Sequence, residues 1–169
     1  MRPATVNLPL GWTAAAPRFV GNDLRINITS TGLYQTWAGA APFNGDSNSD
    51  GVPNGLAWIF GAIGPNANAV SLLPTIDRTS DQDGKLLFIF RRITAAGVDP
   101  NTLIVVEYGS SLTTWTSAVH QGFAANQITI TQQTNGFASG IDKVTVALPT
   151  NLQGEGEFFA RLKATIATP

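Results

Sequence analysis

The chain of 169 residues has no cysteine and only one histidine, His120. Without cysteine there can be no disulfide, zinc–thiolate site, iron–sulfur cluster or cysteine nucleophile. A single histidine excludes metal sites built from several imidazoles. A Ser–His–Asp triad would need His120, yet the sequence has no nucleophile-elbow motif. We therefore expect His120 to lie in a surface loop.

Charge is also scarce, since only 12 % of residues are charged and the net charge is −1. This balance lacks the basic surface that nucleic-acid binding requires, so we expect no nucleic-acid partner. No apolar run is long enough for a membrane-spanning helix, and we expect no membrane span. Small neutral polar residues replace the missing charges, which favours an extracellular, β-rich protein.

Short apolar runs separated by turn signals predict most of the secondary structure. The clearest is period-two alternation, as in Leu24, Ile26 and Ile28. Further strands are predicted at residues 5–10, 85–92, 103–108, 127–131, 143–148 and 157–166. Close spacing without long helices predicts a mainly all-β fold, an antiparallel β-sandwich or jelly-roll-like structure of roughly eight strands.

Two short helices interrupt this pattern. Apolar residues at helical spacing predict one over residues 32–41. Leu56, Ile59 and Phe60 form the apolar face of a second, which should stop near Gly61 or Gly64. A polar loop lies between the two helices.

That loop, residues 46–54 (DSNSDGVPN), has the spacing of a calcium loop. Oxygen-bearing side chains occupy its first, third, fifth and ninth positions, and glycine the sixth. The carbonyl of Val52 can supply a further oxygen. The predicted metal ligands are Asp46, Asn48, Asp50, Val52 and Asn54.

The twelfth position, where a glutamate normally closes the coordination sphere, is Ala57. Two interpretations remain open. The loop binds calcium weakly, with water completing the shell and a structural role for the ion, or it is a polar turn that keeps its shape without metal.

Three segments resemble a known family. Residues 50–61 (DGVPNGLAWIFG) resemble the DGDG-x-x-N-L-x-E-Y-A-L-G segment of large secreted proteins from Verrucomicrobia and Planctomycetes. Residues 106–116 (VEYGSSLTTWT) resemble their V-E-x-S-x-D-L-x-x-W-T strand region. Residues 158–163 (FFARLK) resemble their closing R-F-F-R-L-R-V strand. The family pattern has glutamate where this chain has Ala57 and aspartate where it has Ser111.

The resemblance implies a C-terminal accessory β-domain of a larger, multidomain secreted protein, without an established reaction. Residues 30–169 would form this domain, with the two helices and their loop inserted before the sheets. Residues 1–29 would be strands at the tail of a preceding β-domain.

Acidic residues leave an enzymatic alternative open. A small polysaccharide hydrolase would need a pair of carboxylates, and the candidates are Glu107, Asp77, Asp81 and Asp83. Glu107 could be a partly buried acid with a raised pKa. It could equally pair with an arginine across the sheet, from among Arg91, Arg92 and Arg161.

Aromatic rings supply the candidate ligand contacts, because sugar faces stack on them. The candidates are Trp12, Trp115 and Tyr108, each of which could instead be a packing residue. The favoured function is a non-catalytic extracellular module that binds a polysaccharide or cell-surface glycan, or attaches a larger protein to a surface. A purely structural or sorting domain is the third possibility.

Overall fold

The computed structural model describes residues 12–14, 18–20, 23–25, 28–30, 33–78, 84–153 and 157–167. Within these ranges the protein is mainly β, with antiparallel pairing throughout and three short helices. No helix in these ranges has the length and apolar character needed to cross a bilayer.

Two sheets contain the longer strands. The larger has the order β5-β6-β10-β9 and is built from Thr75–Asp77 (β5), Lys85–Ile93 (β6), Thr129–Ala138 (β9) and Ile141–Pro149 (β10). The smaller has the order β11-β7-β8 and is built from Thr102–Gly109 (β7), Thr116–Ser117 (β8) and Phe159–Ile166 (β11).

The remaining elements are shorter. Two separate pairs join Trp12–Ala14 (β1) with Ile28–Ser30 (β4), and Arg18–Val20 (β2) with Asp23–Arg25 (β3). The helices are Leu33–Ala38 (α1), Asn54–Ile59 (α2) and Thr94–Val98 (α3). Single 3-10 turns occur at Val70–Leu72 and Thr150–Gln153.

The predicted mainly antiparallel β fold is confirmed, as are both helices and the strands that became β6, β7, β10 and β11. The strand predicted at 127–131 begins at Thr129 and continues to Ala138. Of the strand predicted around residues 24–28, Leu24 lies in β3 and Ile28 in β4, which belong to different strand pairs. Residues 26 and 27 lie outside the described residues. β5, β8 and α3 were missed, because elements of two to five residues show too little periodicity to detect. The strand predicted at residues 5–10 lies outside the described residues.

One apolar cluster joins both larger sheets and the helices. Alternate residues of β6 and β10 enter it, as do Val106 and Tyr108 of β7 and Trp58 of α2. Burying a large apolar side chain contributes about 1.5–3 kcal/mol. In these strands, the residues that alternate with the buried ones face away from the apolar cluster. Each larger sheet therefore has an outer face.

Helix α2 ends at Ile59 with Phe60 as its C-cap, and Gly61, one of the two predicted stops, follows directly. Gly61 has φ of 82°. Its N–H donates to the carbonyl of Trp58, and the N–H of Ala62 donates to Ala57, both at 2.9 Å. This pair of bonds is a Schellman motif. The indole N–H of Trp37 on α1 donates to the Ala62 carbonyl at 2.8 Å, which fixes α1 against the end of α2.

Candidate functional site

The calcium-like loop is closed at its base by Asn54, the first residue of α2. Asn54 is 1 % exposed, and its N–H donates to the carbonyl of Gly45 at 2.6 Å. Its amide nitrogen donates to the Pro42 carbonyl at 2.9 Å, and its amide oxygen accepts the N–H of Ser47 at 3.2 Å. The predicted ninth-position ligand therefore also fastens the two ends of the loop together.

The first loop position organises the turn that follows it. The two carboxylate oxygens of Asp46 accept the N–H groups of Asp50 at 3.3 Å and Gly51 at 2.8 Å. The chain makes this turn through two left-handed residues, Ser49 with φ of 58° and Gly51 with φ of 85°. Glycine adopts that conformation at no steric cost, which is why the sixth position favours it.

Asp50 connects the loop to a distant segment. One of its carboxylate oxygens accepts the N–H of Val52 at 2.8 Å. The other accepts the N–H of Ala69 at 2.6 Å and the Asn48 amide at 3.0 Å. Asn48 also donates to the Ala67 carbonyl at 2.8 Å. The loop is thereby bound to the segment just before the Val70–Leu72 turn.

These donors control the ionisation of Asp50. The Ala69 N–H is the largest influence and lowers the pKa of the carboxyl, because it stabilises the charged form. Desolvation acts in the opposite direction, while the Val52 N–H and the Asn48 amide lower the pKa further. Asp50 is therefore held as a carboxylate.

The loop offers several oxygen atoms that could contact a hard cation, but only Asp46 and Asp50 among the predicted ligands carry a charge. A carboxylate or amide oxygen accepts two hydrogen bonds, so only the Asp50 oxygen shared by Ala69 and Asn48 is already filled. Both Asp46 oxygens and the Asn48 oxygen each accept one hydrogen bond and keep one lone pair. Val52 offers its carbonyl. These are oxygen ligands of the kind that calcium prefers, and water would have to complete the shell of an ion bound here.

The twelfth loop position, where a glutamate would close the coordination sphere, adds no charge to this set. Ala57 is 3 % exposed and belongs to the core cluster. Across the part of the chain that the structure describes, no group of three or more histidine, cysteine or acidic side chains gathers into a metal site. Any ion held here would rely on Asp46 and Asp50 for charge and on amide, carbonyl and water oxygens for the remaining ligands.

Glu107 is an ion-paired residue, and of the two interpretations of its sequence position the one with a raised pKa is wrong. Arg161 donates to one carboxylate oxygen from Nε at 2.8 Å and Nη2 at 2.7 Å, and Lys163 donates to the other at 3.2 Å. These bonds lower the pKa of Glu107, with Arg161 the largest cause; desolvation opposes the shift. Pairing with an arginine is confirmed, and Arg161 is the partner.

The candidate sugar-binding rings occupy different surroundings. Tyr108 is 8 % exposed and its ring stacks on Phe158 with centroids 6.0 Å apart, so packing uses most of its surface. Trp115 is half-buried, and the Arg161 guanidinium lies 4.0 Å from its ring centroid. Trp12 begins β1, and its side chain lies outside the described residues.

The hydrolase candidates do not assemble into a described site. Asp77 lies on β5, on a different sheet from Glu107. Asp81 and Asp83 lie outside the described residues. His120 is exposed as expected, and its Nδ1 accepts the N–H of Ile130 at 3.0 Å.

Sequence reasoning missed two buried acids, Asp99 and Asp142. Asp142 is the more deeply buried, at 1 % exposed. It accepts the Gln132 amide at 2.8 Å and the Asn135 N–H at 3.1 Å, and lies 3.5 Å from Nη2 of Arg92. The sequence alternation does place Asp142 on the same face of β10 as the core residues. Its partners come from two other strands, and their alignment with β10 cannot be read from the pattern.

Comparisons of the chain with protein-family models, with curated proteins and with solved structures find no match.

Proposed function

We propose that this protein is a non-catalytic, extracellular accessory module of a larger bacterial protein. It binds a polysaccharide or cell-surface glycan and thereby attaches that protein to a surface. In this proposal the two larger sheets form a β-sandwich, and the helices with their loop form a rigid insert beside it. The shared apolar cluster of both sheets supports the sandwich.

The observation that carries the proposal is the environment of Glu107. A catalytic acid must keep a proton to donate, and this requires a raised pKa. Glu107 instead has a lowered pKa and gives both oxygens to Arg161 and Lys163. A carboxylate used in this way supports a structural role, and it removes the acid that best suited the hydrolase alternative.

Calcium has a supporting role in this function. An ion bound by Asp46, Asn48, Asp50, Val52 and Asn54 would stiffen the loop that already connects α2 to the Ala67–Ala69 backbone. Extracellular calcium modules have dissociation constants of about 10⁻⁴–10⁻³ M, which suits a loop without its closing glutamate. At ten times its dissociation constant, calcium would add about 1.4 kcal/mol to the free energy of unfolding.

Calorimetry of the full chain tests the metal. We expect calcium to raise the melting temperature and a chelator to reverse the rise. Asp46→Asn should abolish the response, because it removes one of the two loop charges. Glu157→Gln replaces an exposed acid outside the loop and should leave the response intact. A melting temperature unaffected by millimolar calcium would remove the ion from the proposal.

Incubation with insoluble cellulose, xylan and pectin tests the binding function. Retention of the protein without release of soluble sugar is the expected result. Sugar release that disappears in Glu107→Gln would instead identify a hydrolase. Neither retention nor release on any polymer would point to a purely structural or sorting domain.

A further inference from the structure

The outer face of the four-stranded sheet carries a row of polar side chains from three neighbouring strands. Arg91 of β6 lies opposite Lys143 of β10, and Lys143 lies opposite Gln133 of β9. In the row two residues further along, Thr145 of β10 lies opposite Thr131 of β9. Gln133 and Thr131 are exposed, so the row is open to solvent at its β9 end.

Two like charges therefore face each other directly across the sheet. Such a cross-strand pair is destabilising, because the side chains lie close together. Among the described residues, no carboxylate forms an ion pair with Arg91 or Lys143. The buried Nε of Arg91 has no hydrogen-bond acceptor either. A bound anion would offset the repulsion between these two cations.

A bulge in β9 shapes the surface beside these cations. The regular β9–β10 register ends at the Gln133–Lys143 pair, and Asn135 adopts a left-handed conformation with φ of 56°. The Asn135 N–H donates to buried Asp142. A Cβ on Gly136 would come within 2.6 Å of the Lys143 Cβ, so only glycine fits there without displacement.

The bulge brings an aromatic ring to Arg91. Phe137 follows Gly136 directly, and the Arg91 guanidinium lies 5.6 Å from its ring centroid. Phe137 is 49 % exposed, so part of the ring is free for another contact. Bulges often redirect side chains at binding sites, and left-handed non-glycine residues concentrate there.

We propose that this surface, formed by Arg91, Lys143, Gln133 and Phe137 and called here the Arg91 face, binds an acidic polysaccharide. An anionic carboxylate or sulfate ester lies between Arg91 and Lys143. The C–H face of a sugar ring contacts Phe137, and the Gln133 amide bonds a hydroxyl. The inference rests on the proposed function and specifies its ligand class.

The composition of the face favours this ligand over other polyanions. Nucleic-acid binding normally engages many phosphates with a broad basic surface, whereas this chain has net charge −1 and two cations at this position. A sugar polymer with one anion per ring needs what is present: a small cationic pair, a partly open aromatic ring and neutral hydrogen-bonding groups.

Binding of the full chain to three soluble polymers tests the inference: polygalacturonate, dextran sulfate and uncharged dextran. We expect one or both acidic polymers to bind and dextran to bind much more weakly. Arg91→Gln and Lys143→Gln should each weaken binding roughly ten-fold or more, because each removes a charge-assisted contact. Phe137→Ala should weaken it less, by about two- to ten-fold.

Lys163→Gln is the matched control, since it removes a lysine charge from the other sheet and should leave binding unchanged. Melting curves of each variant show whether lost binding reflects lost folding. Lys143→Gln relieves the repulsion and should not destabilise the protein, so its loss of binding would be specific.

The outcomes separate the inference from the proposed function. Equal binding by wild type and the Arg91 and Lys143 variants, or preference for dextran, overturns the Arg91 face while leaving a polysaccharide-binding module. Binding of a DNA duplex with no binding of any sugar polymer overturns the inference in favour of another polyanion. No binding to the soluble polymers, together with no retention on the insoluble ones, overturns both.

Discussion

The outer face of each larger sheet carries an arginine and a lysine side by side, but the two pairs have opposite electrostatic surroundings. On the smaller sheet Arg161 and Lys163 share the carboxylate of Glu107, which leaves a local charge of about +1 held by hydrogen bonds. On the larger sheet Arg91 and Lys143 face each other, with no described acid paired to either. The first arrangement stabilises the folded chain, and the second lowers its stability.

The contrast shows that exposure and charge alone do not separate a binding surface from a structural one. Arg161 rests on Trp115 and Arg91 rests on Phe137, so both guanidinium groups contact an aromatic ring. The presence of a neutralising acid distinguishes them. Cations already satisfied within the protein gain less from an external anion than cations that repel each other.

The largest expected effect comes from removing the acid that fixes the bulge beside the Arg91 face. Asp142→Ala should lower the free energy of unfolding by about 3–5 kcal/mol, because Arg92, Gln132 and the Asn135 N–H lose their acceptor. Urea unfolding measures this loss. Glu157→Gln, at an exposed acid, is the control and should change stability by less than about 0.5 kcal/mol. A similarly small change for Asp142→Ala would show that the bulge does not depend on this carboxylate.

The next effect concerns the outer face of the smaller sheet, where Glu107 pairs with Arg161 and Lys163, and it depends on pH. The folded-state pKa of Glu107 lies below its ordinary value of 4.5, so its ion pairs stabilise the protein above that pH. This contribution is lost as the pH falls through the lowered pKa, because the folded state must then take up a proton.

Glu107→Gln should therefore lower the melting temperature by several degrees at pH 7. The difference from wild type should shrink as the pH falls below 4.5. Melting curves of both proteins across this range measure the difference. Parallel curves at every pH would contradict the ion-pair account of the smaller sheet.

The smallest effect compares the two faces most directly. Replacing a lysine by glutamine should change the free energy of unfolding with opposite sign on the two faces. Lys143→Gln should raise the free energy of unfolding by about 0.2–1 kcal/mol by relieving repulsion. Lys163→Gln should lower it by about 0.2–1 kcal/mol by weakening an ion pair. Both differences should diminish in about 1 M salt, where charges more than about 3 Å apart are screened. Equal signs would mean that the two faces do not differ electrostatically.

The sequence predicts the elements of this fold better than it predicts their alignment. Short apolar runs bounded by turn signals are sufficient to locate β6, β7 and β10, and the Gly61 stop of α2 follows from the left-handed conformation that glycine favours. The meeting of Arg91 with Lys143 depends on a register between residues 52 positions apart. The contact of Phe137 with Arg91 joins residues 46 positions apart and depends on the bulge in the β9–β10 pairing. No local pattern encodes either feature.

In the calcium-like loop, too, the sequence predicts local features better than contacts with distant residues. Its spacing predicts a sharp turn at Gly51, which has φ of 85°. It does not predict that Asp50 accepts the N–H of Ala69, nineteen residues away. Likewise, alternation leaves open whether Glu107 is a proton donor or an ion pair, because its arginine lies on a strand 54 residues further along.

The edges of the two larger sheets have a consequence for copies held close together. Long, flat and exposed edge strands invite pairing between molecules and aggregation. Here β5 has three residues and β8 has two, β9 is bulged, and the long edge strand β11 carries charged Arg161 and Lys163. Each edge thus has a recognised defence against intermolecular strand addition. We expect copies crowded on a surface to remain separate, even though a mainly β chain with few charges would otherwise be prone to self-association.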